Sequence, residues 1–237
     1  MTKILTIDSS TEACSVALDI VGTVSSLFEL APRRHAELLL PMVDRLLSEA
    51  NVELGELDAI GCCVGPGAFT GLRIAISVAQ GLAYASNLPC IAISSLDVLA
   101  EQAFATSTAN YCLSSIDARM KEVYFSVLKR GGDNNPERVL SEQVISPDLI
   151  ELSSEIDSTK SIIKVGTGWS EYEYPNEIKA LNGLNAGITQ QPIKYPNAKW
   201  VIPIANRKLA KGETVTPELL QPVYLRNNVA VKKSDRK

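Results

Sequence analysis

The sequence predicts an α/β protein built from two lobes of related topology. Short apolar runs with the length of buried strands alternate with longer segments that have helical periodicity. In addition, one unit occurs twice, at residues 4–18 and again at residues 111–128: a strand, an aspartate, a tight polar turn and a second strand. A chain of 237 residues is long enough to give each lobe a core. We therefore predict a first lobe over residues 1–106 and a smaller second lobe over residues 107–237, with a C-terminal segment that returns to the first lobe.

The first lobe is predicted to contain five strands and three helices. We expect strands at residues 3–7, 14–19, 23–30, 59–64 and 90–93, and helices at residues 36–50, 71–86 and 96–104. Gly65-Pro66-Gly67 ends the fourth strand, because this tripeptide favours a loop. Ser95 is predicted to cap the third helix.

The second lobe is predicted from a similar order of elements. We expect strands at residues 111–116, 123–128 and 162–165, a turn at residues 131–136, a helix at residues 197–211 and an extended segment at residues 222–226. The strand at residues 162–165 leads directly into Gly166-Thr167-Gly168.

Composition and charge exclude several classes of protein. Hydrophobic residues make up 46% of the chain and the net charge is −4, so no overall positive field would hold nucleic acid. None of the five cysteines forms a CxxC pair, which predicts reduced, buried thiols. The N-terminus becomes polar too early for a signal peptide, and no apolar run has the length of a bilayer span. We expect a cytoplasmic protein without membrane contact.

Two polar turns and one glycine-rich loop are candidates for phosphate binding. An aspartate after a buried strand can hold a metal-bound phosphate, while turn amides and a helix N-terminus attract its oxygens. The candidate residues are Asp8, Ser9, Ser10, Thr11, Asp117, Gly65, Gly67, Thr70 and Gly71. An alternative explanation of the same pattern is that each aspartate only accepts hydrogen bonds from the backbone amides of its own turn. Neither GK[ST] nor GxGxxG is present in the loop.

The helices at residues 36–50 and 71–86 carry more apolar surface than one sheet face needs. At about 100° per residue, their apolar side chains cover an arc of about 200°, whereas a helix on a sheet needs about 100°. Neighbouring helices of the same chain or another protein chain would cover the remainder.

Catalytic side chains are scarce in this sequence. His35 is its one histidine, so a site with two or three histidine ligands is impossible. A serine or cysteine triad has little support for the same reason. We predict no catalytic residue and no metal site.

Residues 65–73, Gly-Pro-Gly-Ala-Phe-Thr-Gly-Leu-Arg, resemble the signature of the TsaB family. Three further stretches agree with that family: Ile7-Asp8-Ser9-Ser10-Thr11, then Asp117-Ala118-Arg119 with Glu122-Val123-Tyr124, and residues 222–230, Pro-Val-Tyr-Leu-Arg-Asn-Asn-Val-Ala. The resemblance therefore extends from one end of the chain to the other. It implies an actin-like, sugar-kinase/Hsp70 fold with a reduced second lobe.

The resemblance also implies a role in making N6-threonylcarbamoyladenosine at adenosine 37 of tRNAs that read ANN codons. In that family a separate synthase makes threonylcarbamoyl-AMP, the metal-bearing relative TsaD performs the transfer, and TsaB binds TsaD together with the ATPase TsaE. The transferase carries an HxxxH motif, whereas His35 here is followed by Ala-Glu-Leu-Leu. The missing second histidine implies that the transfer chemistry belongs to the partner.

On this interpretation the surplus apolar faces would pack against TsaD, or against a second copy of the chain when TsaD is absent. We predict that this seam consists of Leu39, Val43, Leu46, Ile74, Ala75, Val78 and Leu82. The polar turns and glycine loops, with Arg119, Gly166 and Gly168, would be vestiges of a nucleotide site. ATP or ADP would then bind only weakly or in the complex, and no cofactor would bind tightly. A stand-alone glycoprotease-like metallopeptidase, an actin-fold small-molecule kinase and a self-associating scaffold remain alternatives.

Overall fold

The fold consists of two mixed β-sheets, each with helices against it. The structure is a computed structural model that describes residues 2–132, 135–152, 156–157, 159–176, 178 and 193–226. The last four residues of the motif at residues 222–230 lie outside the described residues.

The first sheet has five strands in the order β3-β2-β1-β4-β5. They are β1 Lys3–Asp8, β2 Ala13–Ile20, β3 Thr23–Leu30, β4 Ala59–Gly65 and β5 Cys90–Ser94. The first three strands form an antiparallel meander, and β4 and β5 add to it in parallel. Strands β1, β2 and β4 are almost wholly buried, because helices cover both faces of this sheet.

Three helices follow the strands of the first sheet, as the sequence predicts. They are α1 His35–Ala50, α2 Phe69–Ser86 and α3 Ser95–Thr106. Helices α1 and α2 pack against β2 and β4 and contact each other. The cap of α3 needs correction: the Ser94 hydroxyl accepts from the Leu96 amide at 3.2 Å, whereas Ser95 Oγ donates to the Pro66 carbonyl.

The second sheet has four strands in the order β8-β7-β6-β9. They are β6 Tyr111–Asp117, β7 Val123–Arg130, β8 Pro136–Ile145 and β9 Ile162–Val165. Strands β6, β7 and β8 are antiparallel and β9 pairs in parallel with β6. The two sheets therefore share one topology, in agreement with the repeated unit in the sequence. A four-residue helix, α4 Gly168–Glu171, follows β9.

Strand β8 is absent from the sequence prediction, which ended a turn at Pro136. This strand lies at the edge of its sheet and is half-exposed or exposed along its length. It carries Glu137, Arg138 and Glu142, and charged edge strands lack the apolar alternation that identifies a strand.

Helix α5, Ala198–Ala210, corrects the predicted boundary between the lobes. The prediction assigned this helix to the second lobe. Its side chains Val201, Ile204 and Ala205 instead share a core cluster with Ile4 and Ala59 of the first sheet. The chain thus returns to the first lobe with a whole helix, and not only with its C-terminal segment.

Helix α3 connects the lobes, because it follows β5 of the first sheet and packs on the second sheet. Leu96, Leu99 and Ala103 pack with Cys112 and Leu128 of the second sheet.

All five cysteines are free and buried, as predicted. In the part of the chain that the structure describes, no helix combines the length and the apolar character that a membrane crossing requires.

Candidate functional site

The first polar turn buries its aspartate beneath the turn itself. Asp8 is fully buried at the end of β1, and its Oδ1 accepts from the Ser10 amide at 3.1 Å. Its Oδ2 has no hydrogen-bond partner. Burial is the main reason why the pKa of Asp8 is raised, and the hydrogen bonds from Ser10 oppose this shift. Ser9, Ser10 and Thr11 are buried as well.

The glycine-rich loop packs directly on this turn. A Cβ at Gly67 would lie 2.1 Å from the Ser10 carbonyl oxygen, and a Cβ at Gly71 would lie 2.0 Å from the Ser9 carbonyl oxygen. The Ala68 amide donates to the Ser10 carbonyl at 2.7 Å, and Ser9 Oγ donates to the Gly71 carbonyl at 2.8 Å. These glycines are needed because the turn and the loop touch backbone to backbone. In this arrangement the Ser9 hydroxyl and the Ser10 carbonyl are used by the protein's own packing.

Gly65 and Thr70 complete the set of first-lobe candidates. Gly65 has a φ of 110°, a conformation that only glycine adopts readily, and its backbone lies against Leu72 and the carbonyl of Val223. Thr70 is exposed in the first turn of α2.

The second lobe repeats the glycine packing. Gly166, at a φ of 102°, and Gly168 both approach Ser115, with Cβ positions 2.1 Å from its carbonyl oxygen and 2.2 Å from its hydroxyl. Behind them, Trp169 stacks on Tyr174 with ring centroids 4.2 Å apart and donates to the Val165 carbonyl. Residues of the second lobe therefore occupy the space beside the Gly166-Thr167-Gly168 segment.

Asp117 is engaged by neighbouring groups. Its carboxylate accepts from the Arg119 amide and the Tyr172 hydroxyl, each at 2.7 Å, and it forms an ion pair with the Arg119 guanidinium at 2.9 Å. Burial and the bond to Asp117 raise the pKa of Tyr172 to about 12, so its hydroxyl stays a donor at neutral pH. Arg119 also reaches Glu12 of the first lobe at 3.5 Å.

A cleft of about 680 Å³ separates the two aspartate turns. The first lobe lines it with Ser10, Thr11, Gly67 and the start of α2, and the second lobe with Asp117, Arg119, Met120 and Tyr124. The C-terminal residues Val223, Tyr224 and Arg226 line the same cleft. Most of the exposed cleft lining is apolar. The structure thus brings the predicted turns to one cleft, with Asp8 sealed behind its wall.

The predicted partner seam needs correction at four of its seven residues. Leu39, Val43, Leu46 and Ala75 are between 0% and 2% exposed, in the core between α1, α2 and the first sheet. They cannot touch another chain in this conformation. The three others, Ile74, Val78 and Leu82, are half-buried and lie along one side of α2. Helices α1 and α2 cover part of each other's surplus apolar surface. This is one of the two alternatives that the apolar arcs allowed.

The described residues include no group of three or more His, Cys, Asp or Glu side chains that could hold a metal ion. His35 begins α1, is buried, and has no partner for its Nε2. It lies close enough to Asp8 for a charge on its ring to lower the pKa of that carboxyl.

The contacts of the C-terminal segment are the features that sequence reasoning missed. Tyr224 lies 6.0 Å from the ring of Phe69, the Arg73 guanidinium stacks 3.9 Å from the same ring, and Arg226 contacts Glu122. Phe69, Arg73, Glu122 and Arg226 all occur in the motif stretches, which is the available signal, but nothing local in the sequence pairs them.

Two lobes of one topology around a cleft define a protein of the actin-like ATPase fold. The family model described as "TsaD: tRNA N6-adenosine threonylcarbamoyltransferase" matches residues 27–234. The protein TsaB of Escherichia coli K12, named for tRNA threonylcarbamoyladenosine biosynthesis, is 40% identical over 98% of this chain and 97% of its own length. The TsaB protein of Haemophilus influenzae is 37% identical over 97% and 96% of the two chains. The solved structure of YeaZ from Pseudomonas aeruginosa has a TM-score of 0.80 at 38% identity, covering 95% of this chain and all of its own. The chain therefore belongs to the TsaB family.

Proposed function

We propose that this chain is a non-catalytic subunit needed to form N6-threonylcarbamoyladenosine at adenosine 37 of tRNAs that read ANN codons. It binds and supports the transferase TsaD together with the ATPase TsaE, and it reaches the threonylcarbamoyl-AMP synthase and tRNA only through them. The names of its relatives support the biosynthetic role. Without TsaD, we expect two copies of the chain to pair through the same surface.

Two features of the site support a role without catalysis. Asp8, the first-lobe candidate for holding a metal-bound phosphate, is fully buried under its own turn and does not line the cleft. His35 is the one histidine of the chain and is buried at the start of α1. Transfer that depends on a pair of metal-binding histidines therefore falls to a partner.

The observation that carries the partner role is a partly exposed apolar stripe on α2, defined by Ile74, Val78 and Leu82, whose inner sides pack on the first-lobe core. These side chains recur every four residues and are half-buried, although the helix already has a buried face on β4. The exposed residues Gly81 and Ala85 lie beside the stripe and are small enough for a second helix to approach closely.

A charge in the stripe tests this proposal. Val78→Asp is expected to weaken binding to TsaD by about tenfold or more, because an uncompensated charge in an apolar interface costs more than the 1.4 kcal/mol that corresponds to tenfold. The measurement is the affinity of purified TsaD for the variant, by calorimetry or by co-purification.

Val24→Asp is the matched control, since Val24 is 40% exposed on β3 and outside the stripe. It should bind TsaD with the affinity of the unchanged chain. Both variants should show a cooperative thermal unfolding transition, which shows that they are folded. Normal binding of a folded Val78→Asp variant would place the interface elsewhere.

A further inference from the structure

The C-terminal segment at residues 221–226, hereafter the strap, is anchored on the first lobe. Leu220, just before it, is buried in the core under α2, and the Gln80 side chain donates to the carbonyls of Pro217 and Leu220. The Val223 amide then donates to the Val64 carbonyl at 2.9 Å, at the end of β4. This path leads the strap to the mouth of the cleft.

Aromatic and cationic side chains hold the middle of the strap. The Tyr224 hydroxyl accepts from Arg73 Nε at 3.3 Å, and its ring packs beside Phe69. Tyr224 is 48% exposed and Phe69 is 56% exposed, so this contact is open to water. Contacts of this kind are individually weak and can form and break without unfolding the lobe.

The end of the strap reaches the second lobe. Arg226 forms an ion pair with Glu122, donates to the Arg119 carbonyl at 3.4 Å, and lies 3.3 Å from the Met120 sulfur. Arg226 therefore contacts three successive parts of the turn between β6 and β7, at Arg119, Met120 and Glu122. In that turn Arg119, Met120 and Lys121 have φ values of 61°, 57° and 63°, a left-handed run that non-glycine residues avoid unless their surroundings hold them in place.

The strap thus touches both lobes at the mouth of the cleft. The described residues provide one more ion pair across this mouth, Arg119 to Glu12 at 3.5 Å. Its side chains are 74% and 42% exposed, so water screens it and it holds the lobes weakly. The Arg226 pair is better shielded, at 17% and 36%.

We propose that the strap is a clasp which sets the angle between the two lobes, and that release of Arg226 or Tyr224 opens the cleft. The clasp uses the flank of α2 that carries Arg73 and Gln80. The stripe of Ile74, Val78 and Leu82 lies on another side of the helix, so the clasp does not depend on the proposed partner.

The test measures the distance between spin labels, one on each lobe. Labels at Ser48→Cys in α1 and Ser141→Cys in β8 report the lobe angle, because both serines are exposed while all five native cysteines are 0% exposed and escape labelling. Arg226→Ala and, separately, Tyr224→Ala are expected to broaden the distance distribution and to add a second, shifted maximum. Arg45→Ala, which removes an exposed ion pair within α1, should leave the distribution unchanged.

Exchanging the two charges distinguishes loss of the Arg226–Glu122 ion pair from a general loss of stability as the cause of a broadened distribution. Arg226→Glu combined with Glu122→Arg should restore the narrow distribution that Arg226→Glu alone loses. An unchanged distribution in both Arg226→Ala and Tyr224→Ala would overturn the proposal. Failure of the exchanged pair to restore the distribution would overturn it as well.

Discussion

At the scale of single residues, the environment of Asp8 decides what this aspartate can do. The same residue type in the same turn could face a metal-bound phosphate, but here one oxygen accepts from Ser10 and the other has no partner. Burial removes the carboxyl from water and disfavours its charged form, which is why the pKa of Asp8 is raised. Asp8 therefore lies buried beneath the residues that line the cleft.

The raised pKa of Asp8 predicts a pH-dependent effect of Asp8→Asn. Because the folded pKa lies above the unfolded one, the stabilisation by the protonated carboxyl is complete below about pH 4 and is lost as pH rises through the folded value. The free energy of unfolding of the unchanged protein should therefore fall relative to Asp8→Asn as pH is raised from about 4 to about 8. Urea unfolding at several pH values measures this difference.

Asp44→Asn serves as the control, because Asp44 is exposed on α1. The same dependence on pH in the two variants would contradict an effect of burial at Asp8. A difference for Asp8→Asn that grows in favour of the unchanged protein at high pH would show that the carboxylate is stabilised in the fold.

At the scale of elements, helix α2 has a separate role on each of its sides. Ala75, Ala79 and Ala83 let it lie close on the first sheet, although Ala75 was predicted to lie at the partner seam. Its N-terminal turn packs on the Ser9 and Ser10 carbonyls, one flank holds the strap, and the apolar stripe is half-buried.

Two glycines of α2 give a matched prediction. Gly71→Ala should destabilise the protein by about 2–3 kcal/mol, because its Cβ would overlap the Ser9 carbonyl at 2.0 Å. Gly81→Ala should stabilise it by up to about 1 kcal/mol, because nothing lies within 4 Å of the new Cβ and alanine favours the helix. Denaturant unfolding of both variants checks the pair, and equal effects would contradict the packing described for the loop.

The sequence predicts most elements because their cores are strongly apolar, as in β1, β4 and α1. It predicts the duplicated unit because the aspartate turn recurs in the same order. It missed β8, whose charged edge position hides its periodicity, and the strap contacts, which join residues more than 100 positions apart, such as Arg226 and Glu122. It also placed Leu39 and Val43 at a partner surface, because helical periodicity gives the width of an apolar arc and not which part another helix covers.

At the scale of the whole molecule, two sheets of one topology enclose a cleft, and the C-terminal residues Val223, Tyr224 and Arg226 line it. Helix α5 returns to the first lobe and covers the sheet face opposite α1 and α2. The first lobe is thus completed by residues from both ends of the chain. Several groups predicted for a nucleotide site, among them Ser9, Gly67 and Gly71, pack the first aspartate turn against the glycine-rich loop. The stripe on α2 is the surface proposed above for another protein.

The most direct test of this account is the amount of N6-threonylcarbamoyladenosine formed on tRNA by purified TsaD, TsaE and the threonylcarbamoyl-AMP synthase, with and without this chain. The account predicts modified tRNA only when the chain is present, and none when the chain is given tRNA and threonylcarbamoyl-AMP without TsaD. Equal modification in its absence, or transfer by the chain alone, would contradict it.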